Sequence, residues 1–196
     1  MARTKAEIQR SGLKLFKKQG FEETTVAQIA EAAEVSPMTV FRYFPTKEDI
    51  ALWDSFDTTF IAEVQRSGRD KDAITRIGSV LLNNLTKAGA DSRNDMLVRL
   101  ELALATPSLR ARGWDNLYLT QQALATALGS SSRAEHLRNV AAAAACLAAV
   151  SAALFQWATR QGKDDPVVLA REALIVIGAK VEGGRHEPRQ LRTSRK

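Results

Sequence analysis

The segment from Met38 to Tyr43 carries side chains that could recognise a partner by non-covalent contact. Arg42 offers a guanidinium group, which binds guanine through two hydrogen bonds or a phosphate through its charge. Thr39 offers a hydroxyl and a methyl group, whereas Met38 offers only apolar surface. Phe41 and Tyr43 either extend this surface or belong to the core of a small domain. The chemistry that these groups predict is recognition of DNA rather than catalysis.

Two short helices joined by a tight turn would hold this set in place. The first is predicted from apolar residues at helical spacing, with Thr25 as its N-cap; they are Val26, Ile29, Ala30 and Ala33. Ser36 can cap the second helix, and Pro37 then takes its first position, where the missing N–H costs nothing. Val40 and Phe44 lie four residues apart, so both point inward. The pattern is typical of a helix-turn-helix.

Another helix, Lys5 to Gln19, precedes this pair. The run GLKLFKKQGFEETTVAQIAEAAEVSPMTVFRYFPTKEDI resembles the N-terminal domain of the tetracycline-repressor (TetR) family of one-component regulators. The resemblance covers residues 5–52, where many positions match in order. It implies an all-α chain, with a three-helix helix-turn-helix domain followed by a helical ligand-binding and dimerisation domain.

The resemblance also implies roles for individual residues. Thr25 and Lys47 fall where the family contacts phosphates, although Lys47 could equally be a solvated lysine at a helix start. Further side chains fall at family positions that reach base edges or the DNA backbone; they are Ser36, Pro37, Met38, Thr39, Phe41, Arg42 and Tyr43.

Two positions depart from the family pattern. Position 41 is commonly tyrosine in the family, and Phe41 lacks the hydroxyl that would bind a phosphate. Arg42 or Tyr43 would then carry that contact. Position 34 is commonly glycine, and Glu34 would bear a strain of about 1 kcal/mol if the turn requires a positive φ.

The net charge of +6 is not concentrated in the helix-turn-helix. Residues 1–50 carry 8 Lys/Arg against 7 Asp/Glu, residues 51–182 carry 15 against 14, and residues 183–196 carry 5 against 1. The DNA prediction therefore depends on where the cations lie and not on bulk charge. Arg3 and Lys5 are predicted to form a short basic arm, and the basic tail is predicted to be disordered because it lacks an apolar face.

After residue 50 the sequence shows no strand pattern of useful length. Helical spacing predicts further helices over Glu48–Arg66, Lys71–Lys87, Asp95–Ala105, Ser108–Leu128, Ser132–Gln161 and Asp165–Gly183. The chain is thus predicted to hold about nine helices in a DNA-binding domain (1–48), a ligand-binding and dimerisation domain (49–182) and a tail (183–196).

The composition favours a cytoplasmic protein. A single cysteine, Cys146, excludes an internal disulfide framework, and its apolar surroundings predict a buried, inert thiol. The charged N-terminus lacks the apolar core of a secretory leader. No residue between Arg138 and Arg160 is charged, but the run is mainly alanine, so a buried helix is expected rather than a membrane span.

The last two predicted helices are expected to form a homodimer interface. The first of them is long, uncharged and rich in small residues, so it needs more cover than a monomer of this size supplies. The resembled family uses these helices in a four-helix dimer interface, which implies contacts by Leu147, Val150, Leu154, Leu174, Ile177 and Val181. The alternative is that the long helix is the buried central helix of a monomer.

The middle helices of the resembled family enclose an effector pocket. The side chains expected to line it here are Phe56, Phe60, Leu81, Leu85, Met96, Arg99, Leu100, Trp114, Tyr118 and Phe155. Such a set is also typical of an ordinary core. If it is a pocket, it predicts an apolar or mixed small molecule as the effector.

The sequence therefore predicts a ligand-responsive homodimeric repressor that binds a palindromic operator, with no cofactor and no metal. The ligand would act by moving the fourth helix through Ile50 and Trp53. An enzyme is not expected, because no nucleophile and base, phosphate loop or metal spacing is present. The alternative is a helical small-molecule or protein-binding module with a non-specific DNA head, and activation instead of repression also stays open.

Overall fold

The computed structural model describes residues 2–53, 57–68 and 70–181. All regular structure within these residues is α-helical, which confirms the predicted fold class. The helices are α1 (Ala2–Gln19), α2 (Val26–Ala32), α3 (Pro37–Tyr43), α4 (Lys47–Leu52), α5 (Asp57–Arg66), α6 (Ala73–Lys87), α7 (Ala90–Ala105), α8 (Pro107–Leu128), α9 (Arg133–Thr159) and α10 (Pro166–Val176). We call α1 to α4 the head and α5 to α10 the body.

The predicted fourth helix is wrong in its length, which raises the helix count of the described residues from nine to ten. It was expected to run to Arg66, but α4 ends at Leu52, and Trp53 has an extended ψ of 131°. The physical reason is a tertiary competition for backbone acceptors. Side chains from α1 and α7 donate to the carbonyl oxygens of Ile50 and Trp53, which a longer helix would use for its own hydrogen bonds.

The last helix is also shorter than predicted. α10 ends at Val176, and the following Gly178 adopts a left-handed φ of 85°. The amide of Ala179 then donates to the carbonyl oxygen of Leu174 at 3.1 Å, which closes the helix. Val181 therefore lies beyond the helix on which the dimer prediction placed it, and the predicted tail lies outside the described residues.

The head has an apolar core that two helices of the body complete. Its largest fully buried side chains are Ile8, Phe16, Ile29, Val40, Phe44 and Ile50. Val98 and Ala103 of α7 and Leu109 of α8 are buried in the same cluster. Ile50 and Ala51 belong to it as well, although the predicted boundary at residue 48 assigns them to the other domain. A displacement of α7 or α8 would therefore act directly on the packing of the head.

Helix α9 is the central helix of the body. By length and composition it could cross a membrane, but it packs against α6, α8 and α10 as a core helix. Cys146, near its middle, is fully buried. Burial raises the pKa of the Cys146 thiol to about 12, so the thiol stays protonated and unreactive at neutral pH.

Candidate nucleic-acid interface and effector cavity

Both helices of the helix-turn-helix begin at the predicted caps. The Thr25 hydroxyl accepts a hydrogen bond from the amide of Gln28 at 3.2 Å, and the Gln28 side chain accepts one from the Thr25 amide at 2.9 Å. Ser36 caps α3 by accepting from the amide of Thr39 at 3.1 Å, with Pro37 at the first helical position. These caps, which are reciprocal at α2, fix where each helix starts and so fix the direction of α3.

The turn between the two helices requires a left-handed residue. Glu34 has a φ of 53°, the region in which a side chain clashes with its own backbone. We expect Glu34→Gly to raise the free energy of unfolding by about 1 kcal/mol, because glycine adopts this conformation without strain. Urea denaturation of the wild type and the variant would measure this difference in the free energy of unfolding.

The matched control for this turn is Glu34→Ala. Alanine keeps the β-carbon that causes the strain, so it should leave stability near that of the wild type. An alanine variant as stable as the glycine variant would show that the Glu34 side chain, and not the backbone, is the source of the effect.

Helix α3 presents its predicted recognition residues to solvent. Val40 and Phe44 are buried, as their spacing predicted, whereas Met38 is 76% and Phe41 49% exposed. The alternative that Phe41 is a core aromatic is therefore wrong. Tyr43 is half-buried and packs against the head core.

Arg42 is exposed at the C-terminal end of α3. Its guanidinium carbon lies 5.4 Å from the centroid of the Tyr43 ring. This cation–π contact restricts the flexible side chain to the outer surface of the head. Arg42 thus lies ready to contact either a base or a phosphate.

Two lysines of the head hold the structure together in ways that sequence reasoning missed. Lys47 donates to the carbonyl oxygens of Phe21 at 2.8 Å and Glu22 at 3.3 Å, so its ammonium anchors the loop before α2. Lys5 is part of α1, and its ammonium lies 5.1 Å from the Phe44 ring centroid and 4.8 Å from that of Trp53. The predicted basic arm is therefore wrong for Lys5, because that cation binds two aromatic faces of its own head.

Two neighbouring cavities of about 270 and 310 Å³ lie in the body between α7, α8 and α9. Their shared wall consists of Leu52, Met96, Arg99, Gly113, Leu117, Ser151 and Leu154. Because the same seven residues line both cavities, the two cavities adjoin each other.

Most of the predicted pocket residues line these cavities: Phe60, Leu81, Leu85, Met96, Arg99, Leu100, Trp114 and Phe155. Tyr118 does not, since its side chain is 60% exposed on the outer face of α8. Phe56 lies outside the described residues. Among the polar side chains, Asn84 lines the first cavity.

The residues of α9 that were predicted to form the dimer interface lie on the face that lines the cavities. Leu147, Val150 and Leu154 line the first cavity, and Leu174 of α10 is fully buried in the body core. Leu147 and Leu174 are thus buried within their own subunit, whereas Val150 and Leu154 are half-buried at the cavity wall. Ile177 and Val181 are half-buried against the same core.

The end of α4 joins the head to the cavities. The carbonyl oxygen of Trp53 accepts hydrogen bonds from Gln9 of α1 and, at 3.4 Å, from Arg99 of α7. Arg99 and the neighbouring Leu52 line both cavities. A ligand that displaces either residue would therefore disturb an acceptor that the head also uses.

A salt bridge forms a second link between head and body. Arg112 of α8 lies 3.0 Å from the Asp49 carboxylate of α4, and the Arg112 side chain is 45% exposed. Solvent weakens such a pair, so it guides the relative position of the helices more than it stabilises them.

The sequence matches two families over adjacent regions. Residues 8–52 match "Bacterial regulatory proteins, tetR family", and residues 71–181 match "MftR C-terminal domain". The HTH-type transcriptional regulator TcmR of Streptomyces glaucescens is 46% identical over 74 residues, which are 36% of this chain and 33% of that protein. The aligned part is thus about a third of that relative's length.

Solved structures share the fold. FadR from Bacillus halodurans superposes with a TM-score of 0.59 at 17% identity, covering 91% of this chain and 97% of that one. FadR from Bacillus subtilis, solved in complex with stearoyl-CoA, gives 0.57 at 18% identity, covering 90% and 99%. A TetR-family regulator from Streptomyces coelicolor A3 gives 0.59 at 20% identity, covering 90% and 93%. With both sequence matches, this chain belongs to the TetR family of DNA-binding transcriptional regulators, a family of non-enzymatic proteins.

Proposed function

We propose that this protein is a cytoplasmic, ligand-responsive homodimeric repressor that binds a palindromic operator. The observation that carries the proposal is the double use of the Trp53 carbonyl, to which the head and the cavity wall both donate. A regulator that must sense a ligand and release DNA needs such a shared element.

A dimer is supported by the outer surface of α9 and α10. The α9 face turned away from the cavities carries the exposed Ala141, Ala148 and Ala152 at helical spacing, flanked by the exposed Leu137 and Gln156. On α10, Ile175 and Val176 are 54% and 86% exposed, which is unusual for side chains of this kind. This surface replaces the buried leucines as the proposed interface. Two heads held about 34 Å apart would read successive half-sites of a palindrome.

The cavity chemistry favours an elongated and mainly apolar effector. The walls are leucine-rich, with polar side chains at a few points, including Asn84, Asn116, Thr120 and Ser151. Arg99 adds a cation beside the α4 end, and Arg110 adds another in the second cavity. Fatty acyl-CoA is the first class to test, since the FadR of Bacillus subtilis, which shares this fold, was solved with stearoyl-CoA.

The ligand would act through the junction at the end of α4. Occupation of the shared wall presses on Leu52 and Arg99, and the hydrogen bonds to the Trp53 carbonyl carry that displacement towards α1. The ligand must bind the DNA-incompetent arrangement more tightly, because equal affinity for both arrangements shifts nothing.

Selection of bound duplexes from a random DNA pool tests the DNA part of the proposal. A palindromic motif with half-sites about one helical turn apart is expected. Titration of the selected operator complex with stearoyl-CoA then tests the response. No enriched motif at moderate salt would favour the binding module with a non-specific head, an alternative that Pro37 and Met38 support because neither side chain donates a hydrogen bond.

Filling the shared wall should block the effector. Leu154→Trp places a larger side chain where both cavities meet. We expect stearoyl-CoA to bind about tenfold more weakly or worse, because overpacking costs about 1–3 kcal/mol. Isothermal titration calorimetry measures the affinity, and operator binding without ligand should be retained.

The matched control for this substitution is Leu119→Trp, on the exposed face of α8 outside both cavities. It should bind stearoyl-CoA like the wild type. Equal affinities for the wild type and both variants would place the ligand elsewhere.

A further inference from the structure

The first turn of α3 offers little hydrogen-bonding capacity to a partner. The Ser36 hydroxyl already accepts from the amide of Thr39, and the two hydroxyl oxygens lie 3.0 Å apart, so one of their protons is used between them. Pro37 and Met38 have no side-chain donor. Any base reading at this end of α3 must therefore be largely apolar.

Met38 and Phe41 form the apolar surface that is available. Among the large hydrophobic side chains of residues 2–53, these two are the exposed ones. They lie three positions apart on α3, so their side chains are neighbours on one face of the helix. That face lies beside the buried Val40 and Phe44 and is exposed to solvent.

In the major groove of DNA one base-edge group is apolar, the C5 methyl of thymine. Recognition helices place their N-terminal residues against base edges in that groove. Resting on the function proposed above, we propose that Met38 and Phe41 determine operator specificity by packing against thymine methyl groups in each half-site. Arg42 at the other end of α3 supplies the charged contact.

Replacement of thymine by uracil removes the methyl group and leaves base pairing intact. The operator obtained by selection would be resynthesised with uracil at each thymine under the recognition helix, one position at a time. Burial of one methyl group corresponds to about a fourfold change in affinity, and substitution in both half-sites to about fifteenfold. Fluorescence anisotropy at fixed salt measures the affinity for the singly and the doubly substituted operators.

Variants assign each methyl group to a side chain. Met38→Ala should bind the thymine and uracil operators equally at the position that Met38 contacts, and Phe41→Ala should do so at its own position. Met38→Leu keeps apolar bulk and should keep most of the discrimination. Thermal melting of each variant verifies the fold, which substitutions at two exposed positions should leave intact.

The outcomes separate the inference from the function on which it depends. A selected palindrome that lacks thymine under α3, or equal binding of thymine and uracil operators by the wild type, overturns the inference alone. Discrimination that persists unchanged in both alanine variants overturns it as well. Failure to select any motif overturns the inference together with the proposed function.

Discussion

Replacing Ala148 with glutamate should convert the proposed dimer into a monomer and reduce operator affinity by about a hundredfold or more. Ala148 lies on the exposed small-residue face of α9. In an interface with two-fold symmetry the same face meets its own copy, so each dimer would bury two new carboxylates of like charge. Burial of an unpaired charge costs several kcal/mol, more than a close helix contact returns.

Sedimentation velocity at micromolar concentration measures the state of assembly, and anisotropy measures affinity for the full operator and for a single half-site. The variant should bind the half-site as the wild type does. The matched control is Ala90→Glu, at an exposed alanine in the first turn of α7. A wild-type monomer under these conditions, or a variant that stays dimeric, would contradict the proposed interface.

The head could be predicted from sequence because its signals are local. Caps at Thr25 and Ser36 act over three residues, and the inward positions Val40 and Phe44 follow from helical geometry alone. The strain at Glu34 was also predictable, since the turn geometry is fixed by the two helices it joins. Each of these features depends on a few neighbouring residues.

The break after α4 could not be predicted in the same way. Its cause is the pair of side-chain donors Gln9 and Arg99, which lie 44 and 46 residues from Trp53 in sequence. No pattern within residues 48–66 reports their presence. Lys47 and Lys5 show the same limit, because their partners are carbonyls and rings brought close only by the fold.

The orientation of α9 was mispredicted for a different reason. A helix that is apolar on every side has no periodicity from which to assign an inner and an outer face. The larger side chains, Leu147, Val150 and Leu154, face the cavity, and the exposed face carries alanines such as Ala148 and Ala152. Burying a large apolar side chain inside the subunit removes more apolar surface from water than burying an alanine does. The small residues therefore remain on the outer face, where another helix can approach closely.

Arg42→Ala should weaken binding to the selected operator by about 1–3 kcal/mol for each half-site if Arg42 contacts a base. Two copies act in each dimer complex, so the combined loss would be about 2–6 kcal/mol. The expectation depends on the exposed position of Arg42 at the end of α3 and on its contact with Tyr43, which holds it at the head surface. Binding to unrelated DNA should change far less, so the specificity ratio should fall.

Arg42→Lys is the control that separates a base contact from a phosphate contact. Lysine keeps the charge but cannot form two parallel hydrogen bonds with guanine. If Arg42 reads a base, the lysine variant should lose nearly as much operator affinity as the alanine variant. The salt dependence of its binding should stay that of the wild type. If Arg42 binds a phosphate, lysine should restore affinity, and alanine should lower the salt slope by about 1 for each lost contact. An alanine variant that binds the operator like the wild type would exclude both roles and leave sequence reading to the apolar face of Met38 and Phe41.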